Sequence, residues 1–466
     1  KANPSVEQIK RDIQQGNDAA QLNEFAFDAV SWALIEKVDN ATIKFLLEQE
    51  GNEVNKITHD GRTYIFWAAY RDNLEIMNYL LERGARTDII DSHGYSLMNF
   101  AAVTGQQNQT LYDWCIANGS NPKIEKNHDG ANALLLVAPF IQDDNLIDYF
   151  VEKGIDLHSK DEKGNGIFNY AAKKGNIDVL NLLIDLGVGY KELNLEGGNA
   201  FISASQGTRG SSNSLETYKY LEKLGLEPNI TTDSGFTPLH ALAYKNKDLD
   251  IFEYFVSKGV DVNQPDMNGN TAFMNAAYRN DLPIVSYLLN YVESINTYNK
   301  KGISPLMRAV QSNDLEVVRF LLEKGASIDH VDEDGNSLSF YLIESYSEKK
   351  HDDFIKKLQL LQEGSLDFSK IQSNGDGLWH LAVKTNSLKL LQKVGKLDLP
   401  INLRNDDGNT ALHLAAMKAQ NLDILKFLLS QGADKSIKTE FGESVFDLAN
   451  ENELLQEKGA GLSFLQ

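Results

Sequence analysis

The chain has 466 residues and a formal net charge of −21, from 66 acidic and 45 basic side chains. Such an acidic surface argues against nucleic acid or an anionic membrane as the main partner, because both need local cationic excess. The length is too great for one compact core unless the architecture is extended. The single cysteine, Cys115, forms no internal disulfide. No apolar run is long enough for a membrane-spanning helix, and no signal peptide is visible. A chain that begins at Lys1 and carries one cysteine favours an exported or periplasmic compartment over the cytoplasm, with N-terminal processing as one explanation.

Residues 1–51 hold three helical patterns, around Val6–Gln15, Leu22–Glu36 and Ile43–Glu48, with no turn glycine before Gly51. They are read as an N-terminal helical cap, with the repeats at 52–441 and a partial repeat plus C-terminal cap at 442–466. From Gly61 onward one unit recurs. Its turn glycines are Gly61, Gly94, Gly130, Gly164, Gly197, Gly235, Gly269, Gly302, Gly335, Gly375, Gly408 and Gly442, spaced by 33 to 40 residues. Four residues after each glycine stands a large apolar residue such as Ile65, Phe168, Leu239 or Leu412; Ser339 is the exception. Small residues follow on the same helical face, as at Ala68-Ala69, Ala276-Ala277 and Ala415-Ala416. A second apolar helix comes next, for example Val317–Leu322. Glycines such as Gly84, Gly154, Gly259, Gly364 and Gly432 are placed to end it in the left-handed conformation. Asp/Asn/Gly connectors such as Asp261–Gly269 read as tight hairpin turns.

The segment Gly235-Phe236-Thr237-Pro238-Leu239-His240-Ala241-Leu242-Ala243, and its near copy after Gly408, resembles the signature of ankyrin-repeat proteins. The resemblance covers roughly residues 52 to 450. It implies a mostly α solenoid of about twelve helix-turn-helix repeats, with short β-hairpin loops projecting to one side. It also implies a concave face used to bind proteins. Twelve units at about 10 Å each would span roughly 120 Å along the arc.

Three copies exceed the period. The extra residues lie near Gln106–Thr110, Gly207–Ser214 and Ser345–Asp353, each between the two helices of its unit. They read as loop growth, or alternatively as extensions of a binding edge. Two second helices lack a stop glycine, around Asn290–Asn296 and Lys393–Ile401, with Pro283 and Pro400 nearby, so irregular stacking is expected there.

No catalytic constellation is present: no His-Glu-x-x-His helix, no phosphate loop and no Gly-x-Ser-x-Gly elbow. Cys115, in an apolar helix, reads as a buried small residue rather than a nucleophile. His240, His380 and His413 occupy the signature position, where the resemblance implies hydrogen bonds to the turn and the neighbouring repeat. His59, His93 and His128 fall at successive hairpin tips. Repeats about 10 Å apart cannot share a zinc ion whose Zn–N bonds are about 2 Å. These histidines therefore read as partner-contacting or pH-sensitive tips. No cofactor and no metal site is expected.

Nine and ten residues after the turn glycine the first helix ends. In the resembled family these ends line the concave face. Here they include Tyr70, Arg71, Lys173, Lys174, Tyr244, Lys245, Tyr278 and Arg279, with Lys384 and Lys418 further on. Tyrosine and arginine are common interface hot spots. The plainer account is that cations at helix C-termini complement the dipole. The reading is a monomeric, non-enzymatic scaffold that binds an acidic or extended protein segment. Its rivals are a targeting or inhibitory subunit of an enzyme or effector supplied in trans, and small-molecule or metal binding in the groove.

Overall fold

The computed structural model describes residues 3–456 and 461–466. Residues 1–2 of the N-terminal cap and 457–460 of the C-terminal cap lie outside the described residues. The described chain is helical, with no strand; an isolated bridge joins Thr208 to Ser211. No helix in it is long and apolar enough to cross a membrane. It divides into two compact units, residues 1–233 and 234–466.

Each unit is built from pairs of short helices joined by projecting turns. Helix Ala272–Arg279 illustrates why the sequence folds this way. Thr271 caps it by accepting the Met274 amide. Phe273, Met274, Ala276 and Ala277 are fully buried on it. It packs against Pro305–Ser312 of the next pair, while Leu282–Leu289 packs against Leu315–Glu323. The small alanines let the first helices approach closely.

The projecting turns are closed by a recurring device three residues before the turn glycine. In unit 2, Asp266 accepts the amides of Asn268 and Asn270 through one oxygen, and Gly269 N–H donates to its carbonyl at 2.8 Å. In unit 1, Asp161 does the same for Lys163 and Asn165. Successive tips in both units bond to one another through the backbone. Glu162 donates to Asp129 O in unit 1, and Lys300 donates to Asn268 O in unit 2. This close approach explains the glycine. At φ 80° a Cβ on Gly269 would sit 2.7 Å from the Lys300 nitrogen, so a side chain meets both backbone strain and a clash. The hairpin loops are thus hydrogen-bonded turns joined tip to tip.

Three expectations are corrected. Gly364 does not take the left-handed conformation: helix His351–Glu363 ends on it at φ −75°, and Ser365 turns the chain at φ 64°. The expected irregularity at Pro283 is absent, because Pro283 lies in the first turn of Leu282–Leu289, where its missing N–H costs nothing. Finally, the pair Ala29–Ile35 and Asn40–Leu47, assigned to the cap, stacks on Tyr64–Tyr70 and Leu74–Leu81 as the later pairs do. Asp28 caps it reciprocally with Ser31, and Ala26, left-handed at φ 58° in the turn closed by Asn23, stands where the later copies have the turn glycine.

Candidate partner-binding surface

The face formed by tips and first helices carries most of the sequence-nominated residues, and the structure divides them by what they already touch. In unit 1, Arg71 donates through Nε to the Ile35 carbonyl at 2.6 Å and lies over the Tyr70 ring at 4.4 Å. It caps the preceding first helix. Asn213 makes the same kind of bond to Ala172 O, and Gln106 to Tyr70 O. Lys173 is half-buried over the Tyr170 ring at 4.2 Å, and desolvation pushes its ammonium pKa down, against Asp161 and Asp129. Lys174 is exposed beside Phe140.

The tip histidines separate likewise. His59 stacks on Phe27 at 4.5 Å, and its Nδ1 meets Phe25 O at 2.9 Å. The Nε2 atoms of His59 and His93 lie 3.3 Å and 3.2 Å from the same Asp60 oxygen, which Arg62 also contacts. Tips are therefore closer than the roughly 10 Å helix spacing suggests, because the side chains lean along the row. His128 is exposed and packs over Gly94. Among the described residues no group of three or more His, Cys, Asp or Glu side chains could hold a metal ion.

In unit 2, Lys384 is not a free cation: its Nζ holds the buried Asp376 carboxylate at 2.5 Å, assisted by Asn405. Burial would raise the Asp376 pKa, but these donors bring it below the usual carboxylate range. Tyr244 is 38% exposed and meets Tyr278 edge to face at 6.0 Å. Arg279 and Lys418 are exposed at their helix ends, and Lys245 is exposed in the turn after its helix.

The structure also brings forward residues that the helix-end reading missed. In unit 1 a chain of rings runs Trp32–Phe27–Trp67, continuing to Tyr70 and Phe100, with neighbouring centroids 5.0 to 6.5 Å apart. Arg62 lies over Phe100 at 4.4 Å, and its Nε donates to the buried Asp91 at 2.8 Å. Trp67 Nε1 donates to Thr58. Trp32 is 46% exposed and Phe25 61% exposed. The signal lay in the register six residues after the turn glycine, which holds Trp67, Phe100, Tyr170, Arg308 and Tyr341.

His240, His380 and His413 are scaffold. His413 Nδ1 accepts the Thr410 amide at 3.0 Å, and Nε2 donates to Ile437 O at 3.0 Å in the following turn. His240 and His380 repeat this with Thr237 and Gly377, reaching Asn270 O and Asn409 O. Cys115 is buried, which pushes its thiol up to about 12 and leaves it a packing residue.

Within each unit, helix pairs joined by bonded tips define a repeat protein in which each repeat contacts its neighbours. The chain matches the sequence model of ankyrin repeats over residues 30–112, 169–266, 201–296, 239–332 and 343–439, more than half its length. It belongs to the ankyrin-repeat family. It is similar to the NAD-dependent deacetylase sir2B of Dictyostelium discoideum, 26% identical over 45% of this chain and 26% of that protein. It is also similar to the ankyrin repeat protein nuc-2 of Neurospora crassa, 31% identical over 38% of this chain and 16% of that one. A third is the putative ankyrin repeat protein L371 of Acanthamoeba polyphaga mimivirus, 23% identical over 45% and 31%. The chain covers less than a third of the length of these relatives. Ankyrin repeats are, in general, protein–protein interaction modules.

Proposed function

We propose that this chain is a non-enzymatic binding module that holds an extended segment of another protein across its tips and first helices. One observation carries the reading: the ring-to-ring aromatic surface of unit 1, open to solvent at Trp32, with the exposed Phe25 two residues before its Phe27. Exposed, pre-positioned aromatic side chains cost little entropy to immobilise and dominate interface energetics. Of the earlier stripe, Tyr70, Lys174, Tyr244, Lys245, Tyr278, Arg279 and Lys418 remain candidate contacts, with His93 and His128 at the tips. Arg71 and Lys384 act first as structural bonds. A monomer that displays this surface to one partner is the simplest arrangement.

The test is affinity capture from the native cell with the wild-type chain and with a Phe25→Ala/Trp32→Ala variant. Binding of the captured protein is then titrated with both purified forms. Loss of about ten-fold or more is expected, as for hot-spot aromatics; equal affinity would overturn the reading.

A second reading has its own support. Similar proteins include a deacetylase, a palmitoyltransferase and the phosphocholine transferase AnkX of Legionella pneumophila, each much longer than the matched region. On that basis the chain would be the targeting or inhibitory part of an enzyme or effector whose catalytic portion is supplied separately. A captured partner with such an activity, altered when this chain is added, would favour it.

A further inference from the structure

Arg308 presents a guanidinium that is held in place yet has no carboxylate partner among the described residues. It stands on helix Pro305–Ser312, six residues after the turn glycine Gly302. At that register the other copies carry aromatic, aliphatic, small or amide side chains, among them Phe100, Leu136, Asn275 and Tyr341. Its side chain reaches back along unit 2 over two preceding repeats. Nη1 donates to Asn270 Oδ1 at 2.7 Å, and Nη2 donates to the Tyr244 hydroxyl at 3.0 Å. Its Cζ lies 4.9 Å from the centre of the Tyr278 ring. The Asn270 oxygen is itself held by Asn299 at 2.9 Å, and its amide reaches Asp266 at 3.3 Å. The nearest acid in this network, Asp266, already serves three N–H groups of its own turn.

Among the described residues no carboxylate pairs with Arg308, although the chain carries 66 of them. Both bonding partners are neutral. A guanidinium has five donors in a planar fork that matches a carboxylate, and two bonds are accounted for. Neutral partners and a ring face orient the fork while leaving its charge uncompensated. Arg279 is exposed at the end of the helix that carries Tyr278, and Lys245 is exposed beside Tyr244 in the turn after helix Pro238–Leu242.

We propose that Arg308, walled by Tyr244 and Tyr278, receives a carboxylate side chain of an acidic peptide segment. The proposal rests on the reading of this face as a peptide-binding surface and names the chemistry it selects in unit 2. Charge complementarity decides the occupant. The net charge of −21 repels a long polyanion, whereas one short acidic segment meets Arg308, Lys245 and Arg279 first. The tyrosine rings pack on its aliphatic stems.

The test uses the full chain and a fluorescein-labelled peptide of alternating glutamate and glycine, with an alternating lysine–glycine peptide as control, read by anisotropy. The glutamate peptide should bind saturably at low salt, weaken at about 0.5 M salt, and lose about ten-fold in affinity with Arg308→Gln. Tyr244→Phe, which removes one anchoring hydroxyl and little else, should give a smaller loss, and it tests the site even if Arg308→Gln folds poorly. Equal binding by wild type and Arg308→Gln, or no preference for glutamate over lysine, would overturn the proposal. The wider binding reading stands or falls separately, on the Phe25 and Trp32 result with the captured partner.

Discussion

The two units tie their tips to their first helices by different chemistry. In unit 2 the residue five after the turn glycine is histidine in three copies, His240, His380 and His413, and each imidazole bridges one repeat to the next. In unit 1 the same register holds Phe66, Asn99, Leu135, Asn169 and Ile202. There carboxylates do comparable work. Asp28 joins Ser31, Tyr64 and Lys56, and Asp60 and Asp91 hold Arg62. The same topological need is met by imidazoles in one unit and by carboxylates in the other, so each unit has its own vulnerability.

The largest effect should come from emptying a bridge in unit 2. His413→Ala leaves the Thr410 amide and the Ile437 carbonyl without this partner in a fully buried place. A cost of roughly 3 kcal/mol is expected from the cavity and the orphaned groups together. Urea unfolding followed by hydrogen exchange within residues 234–466 would measure it; a loss well below 1 kcal/mol would deny the imidazole its bridging role.

Acidification should then separate the units. Burial depresses the pKa of His240, His380 and His413 below the ordinary 6.5. The unfolded chain therefore takes up protons first. Their contribution is complete above pH 6.5 and is lost as pH falls through the folded values. Asp28 is also depressed: burial alone would raise it, but Ser31, Tyr64 and Lys56 outweigh burial. Its contribution is complete above the ordinary 3.8 and is lost only below that, as pH falls through the folded value. Exchange protection in unit 2 should thus begin to weaken as pH falls below 6.5, ahead of protection around Asp28, which holds until pH falls below 3.8. Simultaneous loss, or loss in unit 1 first, would contradict this.

A smaller, favourable change is expected from moving the bridge into unit 1. Asn99 is fully buried, and both its amide atoms lack a protein partner. It occupies the bridging register but is too short to span it. Asn99→His should raise stability by about 1 kcal/mol, the worth of one net hydrogen bond, seen as a higher urea midpoint. A lower midpoint would show that the site cannot hold the ring. The smallest effect belongs to Trp32→Ala. Its exposed indole should change stability by no more than about 0.5 kcal/mol, whatever it does to binding.

The helix pairs and their turns were legible because turn glycine, large apolar residue and alanines recur at fixed offsets, and each offset answers to a packing constraint seen here. The pair at Ala29–Leu47 was hidden because Ala26, not glycine, takes the left-handed turn that opens it. Ser365 was hidden because a left-handed non-glycine leaves no compositional mark. The insert at Ser345–Asp353 read as a loop, yet Glu348 bonds Ser387 and Lys389 of the following helix pair, and the buried Lys357 just beyond it reaches Val310 O. Such contacts join residues about 40 apart and carry no local pattern. For the candidate surface, helix ends pointed to Tyr244 and Tyr278 but carried no mark of the bonds that tie Arg71 to the Ile35 carbonyl and Lys384 to Asp376, and they did not point to Arg308 or Trp32.

These particulars converge on one claim: positions alike among the copies build the scaffold, and positions that differ bind. One paired measurement tests it most directly. The captured partner would be titrated against wild type, His413→Ala and Phe25→Ala/Trp32→Ala, with the unfolding midpoint of each form measured alongside. The histidine variant should unfold earlier yet bind like wild type at temperatures where it is folded, while the aromatic variant should keep its midpoint and lose about ten-fold in affinity. The reverse pattern would contradict the account.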